Sequence, residues 1–257
     1  MNQPEVLFGK RVLVTGAASG IGLAIAQAFS INGAQVVMTD LPGTALERNS
    51  NEIPGSSFIG ADLSDHNEIT RVADACQDVD ILVNNAGLQY VSTIEEFPQE
   101  RFDTILSVML RAPFVLTKAA LPGMYQKRWG RIINIASVHG LVASPFKAAY
   151  VSAKHGLLGL TKTIALEAAQ RCPDVTAHAI CPSYVSTPLV EHQIEAQAQA
   201  TGIEPTKVLD DVLLVRNAVK RLIAPADVAE AALLLCGEAA WTMTGSALSM
   251  DAGWLAH

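Results

Sequence analysis

Short β-branched runs alternate with helix-length segments from one end of this 257-residue chain to the other. RVLVTG (11–16), QVVMTD (35–40), SSFIGAD (56–62), DILVNNAG (80–87), RIINIAS (131–137), VTAHAICP (175–182) and SALSMD (246–251) lack strict polar alternation. That is the pattern of strands covered by helices on both faces. Seven such strands joined by crossover-length connections predict a parallel, doubly wound α/β sheet in one domain, 1–257. The rhythm breaks once, at 182–224, where polar and helical stretches (EHQIEAQAQA, TKVLDDVLLVRNAVK) replace a short connection. Insertions of that length are usually lids or binding loops, so a substrate loop is expected there; surface helices or a subunit contact are the rival reading.

Half of the residues are hydrophobic and 17% are charged, enough apolar material for a large core and too little polarity for disorder. Eighteen Lys and Arg against 25 Asp and Glu give a formal charge of -7 without a dense basic run, which argues against nucleic acid as a partner. Cys76, Cys172, Cys181 and Cys236 are scattered, with no metal-ligand spacing, and read as reduced core thiols; no metal is expected. No uninterrupted apolar run approaches the ~18 residues of a membrane span, and the first strand begins too early for a secretory signal. No membrane association and a cytoplasmic location are the expectation.

The first strand runs into T-G-A-A-S-G-I-G and then an amphipathic helix. Gly16, Gly20 and Gly22, with Ser19 and Ile21 between them, form a turn whose backbone can approach a pyrophosphate at a helix N-terminus. Asp40 closes the second strand, where a carboxylate can bind both hydroxyls of an adenosine ribose and repel a 2′-phosphate. No Lys or Arg stands in the glycine turn or directly after Asp40, so NAD is expected rather than NADP. Asp62 and Leu63 end the third strand and are read as adenine contacts, with helix capping as the alternative for Asp62. Asn85, Ala86 and Gly87, in N-N-A-G after the fourth strand, sit where a ligand crevice opens.

Tyr150 and Lys154 stand four apart in a helical run and so share a face, and Ser137 ends the fifth strand before them. A phenol titrates near 10, so it acts as a base near neutrality only if a cation such as Lys154 favours the phenolate. Ser137 can then hold a substrate oxygen while Tyr150 takes its proton and a nicotinamide takes hydride.

T-G-x-x-x-G-x-G, N-N-A-G, the serine and Y-x-x-x-K, in this order and from Lys10 to the C-terminus, resemble the short-chain dehydrogenase/reductase family. The resemblance implies a Rossmann-type domain, a homotetramer, and Ser137, Tyr150 and Lys154 as catalytic residues, the last two also touching the cofactor. It further implies that Val185 and Thr187 in P-S-Y-V-S-T hold the nicotinamide or the pyrophosphate. N-N-A-G-L-Q, W-G-R-I-I-N-I-A-S-V-H-G-L-V-A-S, A-A-Y-V-S-A-K-H-G, T-P-L-V and S-M-D-A-G-W are similar to the bacterial D-3-hydroxybutyrate dehydrogenase branch of that family. In that branch a small anionic substrate is held by residues matching Gln89, His139, Lys147 and Gln193. Trp254 is read either as a pocket wall or as a core or interface tryptophan.

Two positions depart from the pattern. Met109 stands where the family has the asparagine of its catalytic tetrad, which leaves a gap in the proton relay, and Ser183-Tyr184 stands where the branch has Gly-Trp. Tyr184 keeps an aromatic wall and adds a hydroxyl. Three readings therefore stay open: oxidation of D-3-hydroxybutyrate to acetoacetate, a dehydrogenase of another small hydroxy acid or secondary alcohol, and an NAD-binding relative impaired by Met109.

Overall fold

The computed structural model describes residues 6–201 and 204–256; the side chain of Gln193 lies outside what is described. Seven strands, β1 (Arg11–Thr15), β2 (Gln35–Asp40), β3 (Ser56–Gly60), β4 (Ile81–Asn84), β5 (Gly130–Ile135), β6 (Val175–Pro182) and β7 (Ala247–Met250), form one sheet in the order β3-β2-β1-β4-β5-β6-β7. Every pairing is parallel. The fold is thus an α/β Rossmann-type sheet, as the unbroken apolar strands require.

Side-chain alternation along each strand feeds two cores. Val12, Val14, Val36, Met38, Ile81 and Val83 point to one face, where α1 (Gly20–Ile31) and α9 (Pro225–Leu234) bury Ile25, Phe29, Val228 and Ala232 against them. Leu13, Val37, Leu82 and Ile132 point to the other, beneath α3 (His66–Cys76), α5 (Ala112–Lys127) and α6 (Ala148–Arg171). Each large aliphatic side chain so buried contributes about 1.5–3 kcal/mol. Asp65 caps α3, its Oδ1 accepting from Asn67 N at 2.8 Å and Glu68 N at 3.0 Å. Among the described residues one helical run, Gln99–Lys127, is long and apolar enough by length and composition to cross a bilayer, although polar residues interrupt its apolar sequence. Here it is the α4 (Gln99–Leu106), π-turn and α5 stretch, packed on α3 and α6 as part of the fold's own layer.

The chain winds outward from β1 through β2 to β3 and then crosses back to β4 on the other side of β1, so the winding reverses there and a crevice opens above the carboxyl ends of β1 and β4. α2 (Thr44–Glu52) follows β2, and the 182–224 stretch forms α7 (Pro188–Thr201), whose first residues line the crevice, α8 (Pro205–Val208) and a π-helical turn Leu209–Leu213. Val190, Val208, Leu213 and Leu214 pack with Val138, Tyr184 and Trp254, and a parallel bridge from Val185 to Ile223 ties the two ends of the stretch together.

Candidate active site

The nucleotide end is assembled from β1, β2 and β4. Gly16 has φ 66°, and a β-carbon there would lie 2.8 Å from Ala86 Cα, so only glycine lets the first turn close on the fourth strand. A side chain at Gly22 would overlap the Gly16 carbonyl; its part is turn-to-helix packing, and it does not line the cavity. Asn85 donates through Nδ2 to Thr15 O at 2.9 Å and Gly16 O at 3.0 Å. The amides of Asn85 and Ala86 both donate to Thr15 Oγ1, each at 2.9 Å. Thr15 thereby fixes the N-A-G turn against the glycine turn. The sequence reading passed over it, although its place at the last residue of β1, ahead of the glycines, was the available signal.

Asp40 has its carboxylate anchored before any ligand arrives: Oδ2 accepts from Ala18 N at 2.9 Å and Oδ1 from Leu41 N at 2.8 Å. Each oxygen retains a lone pair for a hydroxyl donor, and among the described residues no lysine or arginine pairs with it. Asp62 Oδ1 accepts from Ser64 N at 2.8 Å and Ser64 Oγ at 2.7 Å. Since α3 is capped by Asp65, Asp62 shapes the preceding turn, and it lines the cavity beside Leu63. One cavity of about 440 Å³ joins Gly16, Ser19, Gly20, Ile21, Asp40, Asp62 and Leu63 to Asn85, Ala86, Gly87, Val185 and Thr187, and at its far end to Ser137, Tyr150 and Lys154. That size and this row of backbone and carboxylate groups fit an extended dinucleotide.

The reacting end rests on β5 and α6. Asn84 Nδ2 donates to Asn134 Oδ1 at 2.8 Å, and Asn134 Nδ2 to Thr161 Oγ1 at 2.8 Å, a buried chain that locks α6 to the sheet. Lys154, on the same helix, donates to Ile135 O at 2.7 Å, its Nζ 5.6 Å from the Tyr150 ring centroid. Burial pushes the Lys154 ammonium down to about 8, so at neutral pH it still carries its charge. Burial also raises the Tyr150 phenol, opposed by a hydrogen bond with Ser137. The expectation from sequence is that Lys154 lowers this phenol; in the free protein burial dominates, the opposing influence comes from Ser137, and Tyr150 rests protonated.

Behind Tyr150 the rings of His139, Tyr184 and Trp254 form a buried cluster. His139 stands edge-on to Tyr150, Tyr184 and Trp254, with centroids 6.2, 6.5 and 5.5 Å away. Lys147 Nζ lies 5.5 Å from the Tyr184 ring centroid. Lys147 is only 6% exposed and has no ion-pair partner among the described residues; burial pushes it down to about 8. His139 is pushed down to about 4, by burial first and then by the Lys147 charge, so its imidazole is neutral. Four buried side-chain nitrogens lack a hydrogen-bond partner among the described residues: Arg131 Nε, remote from this cluster, and Gln89 Nε2, His139 Nε2 and Trp254 Nε1. His139, Lys147, Tyr184 and Trp254 are therefore brought together, and Trp254 lies in the hydrophobic cluster with Tyr184, Leu213 and Leu214. Gln89 sits on the loop whose Ser92 N donates to Phe146 O at 3.0 Å, next to Lys147. The side chain of Gln193 lies outside what is described.

Met109 is buried in a π-helical turn, Ser107–Arg111, packed with Ile105, Ala149, Ala153 and, at the cluster's edge, Leu88 and Tyr150. The helix irregularity thus forms without an asparagine side chain, and the loosened carbonyls of such a turn remain in place. Met109→Asn is expected to bury an amide in an apolar cluster, costing about 1–3 kcal/mol of stability, while kcat rises by less than about tenfold, roughly 1.4 kcal/mol of barrier. Thermal unfolding and steady-state rates check both; a fall in kcat with the fold intact would mean the relay runs by another route.

Comparison with known proteins follows the same lines. The sequence model for short chain dehydrogenases matches residues 10–198. A D-beta-hydroxybutyrate dehydrogenase of Rhizobium meliloti is 47% identical, covering 96% of this chain and 99% of its own. Another of that name, from Cupriavidus necator, is 44% identical, covering 98% and 100%. A solved structure from Beutenbergia cavernae that holds NADP at low occupancy superposes with a TM-score of 0.87 at 32% identity, over 99% of this chain and 100% of that one. In agreement with its parallel sheet and its Ser-Tyr-Lys face, this chain belongs to the short-chain dehydrogenase family and is one of its oxidoreductases.

Proposed function

We propose that the protein is an NAD-dependent dehydrogenase that interconverts D-3-hydroxybutyrate and acetoacetate. The observation that carries this reading is Lys147, a buried ammonium with no ion-pair partner among the described residues, beside the unpartnered ring nitrogens of His139 and Trp254. A carboxylate accepts hydrogen bonds and offers none, so it satisfies these groups, and the 6.2 Å between the His139 and Tyr150 ring centroids suits a short chain. The 47% identical relative of the same name supports the choice. Steady-state NADH production across a panel of short hydroxy acids tests it: kcat/KM is highest for D-3-hydroxybutyrate, and a higher value for another member would transfer the assignment to that acid. A homotetramer, a cytoplasmic location and a substrate-covering role for 182–224 belong to the same proposal.

In the reaction, Ser137 donates its hydroxyl to the substrate oxygen and Tyr150 Oη takes the alcohol proton. Bound NAD supplies the hydride acceptor. Lys154, held by Ile135 O, places positive charge near Tyr150 and stabilises the phenolate that proton transfer creates. Lys147, with His139, Trp254, Gln89 and Gln193, orients the carboxylate so that the C–H bond faces the nicotinamide end of the cavity.

Asp40 selects the cofactor. A 2′-phosphate against this anchored carboxylate, with no cation alongside, is expected to lower kcat/KM for NADP by at least about 100-fold, roughly 2.7 kcal/mol. Equal values for the two cofactors would remove Asp40 from that role. The pH dependence is set by the buried lysine. Acetoacetate reduction needs Tyr150 protonated and Lys147 charged; the raised phenol stays protonated as pH increases, whereas Lys147 loses its proton above about 8. Reductive kcat/KM is therefore level up to about pH 8 and falls above it. A profile that rises through that range contradicts the assignment.

A further inference from the structure

Three described residues other than glycine have positive φ: Arg128 at 55°, Phe146 at 65° and Ala252 at 54°. Arg128 is the left-handed cap of α5, a common place for that conformation. The other two stand in tight turns, Phe146 after Pro145 and Ala252 before Gly253, and both lead into the buried cluster around His139. Phe146 immediately precedes Lys147, and Ala252 stands two residues before Trp254. Each has its carbonyl pinned by an amide from a distant segment: Phe146 O accepts from Ser92 N at 3.0 Å, and Ala252 O from Val219 N at 3.0 Å. The Phe146 ring, 54% exposed, does not account for its backbone through core packing. Left-handed φ is costly for a bulky side chain and persists only where the surroundings over-determine it.

We infer that Phe146 and Ala252 are positioning residues of the substrate pocket: their pinned left-handed turns drive Lys147 and Trp254 inward and hold them there before substrate binds. The inference rests on the reading above that Lys147 meets a substrate carboxylate. With φ at 146 relaxed to negative values, the Ser92 bond is lost and Lys147 turns from the pocket toward solvent, which its desolvated ammonium favours. The pinning segments are the loop that carries Gln89 and the end of the 182–224 stretch, so the pocket assembles only when both are seated.

The test varies the cost of left-handed φ at one position. Phe146→Val, β-branched, raises KM for D-3-hydroxybutyrate about tenfold with kcat within twofold, because apparent affinity scales with the fraction of protein whose pocket is assembled. Its Tm falls by about 3 °C. Phe146→Asn, which tolerates this conformation, keeps KM at or below the parent value and does not lower Tm. In a Lys147→Ala background Phe146→Val no longer moves KM, which a purely structural role would not produce. Should Phe146→Val not fold, Ala252→Val against Ala252→Gly gives the same contrast. The inference is overturned if Val and Asn at 146 raise KM alike, since the ring would then be what matters, or if Lys147→Ala raises KM while Phe146→Val lowers only Tm. That last outcome leaves carboxylate recognition standing; a KM unmoved by Lys147→Ala removes both.

Discussion

Tyr150→Phe is expected to lower kcat by about 10²–10⁴-fold, the range spanned by a positioned general acid or base, while NAD binds within about threefold of the parent. The phenol hydrogen-bonds Ser137 and lines only the reacting end of the cavity, whereas the glycine turn, Asp40 and the N-A-G turn, which the proposal gives to the nucleotide, line the other end. The two effects therefore separate, and isothermal titration with NAD beside steady-state rates measures both. Retention of most of the activity would assign proton transfer to another group.

Lys147→Ala gives the second large effect. Truncating one partner of a buried, hydrogen-bonded charge pair costs about 2–5 kcal/mol, so KM for D-3-hydroxybutyrate rises by about 30-fold to more than 10³-fold, with kcat changed far less. Stability moves the other way. The lysine is held down to about 8 from 10.5 by burial, so its charged form costs the free protein roughly 3 kcal/mol at pH 7. Lys147→Met, which keeps the volume without the charge, should raise Tm while it abolishes tight substrate binding. Such an opposition marks a residue kept for function. Unchanged KM in either variant would contradict the role.

The fold was readable because parallel strands buried on both faces leave continuous apolar runs, and β1 to β7 all lie within the segments that show them, save that β5 starts one residue earlier. The boundary that moved most is instructive: 80–87 reads as one strand, yet β4 stops at Asn84 because Asn85 and Ala86 turn back to bond Thr15 and Gly16. Local pattern cannot encode a bond to a residue 70 positions away. The same limit hid Thr15, whose hydroxyl serves two amides of another strand. Trp254 could be read two ways in sequence because its place depends on the turn at Ala252 and Gly253 and on packing by Leu213 and Leu214 from the 182–224 stretch. Phe146 gave no signal at all, since phenylalanine is an unlikely residue for φ 65°. Met109 was legible as a departure, but not that the π-turn would form around it.

The most direct measurement compares kcat/KM, with NAD, for D-3-hydroxybutyrate and for its methyl ester. Buried donors around Lys147 that await a carboxylate predict that the acid exceeds the ester by at least about 100-fold, the loss of one or two charge-assisted hydrogen bonds of about 1.5–3 kcal/mol each. An ester that turns over as well as the acid would contradict that prediction and make the pocket a site for neutral secondary alcohols.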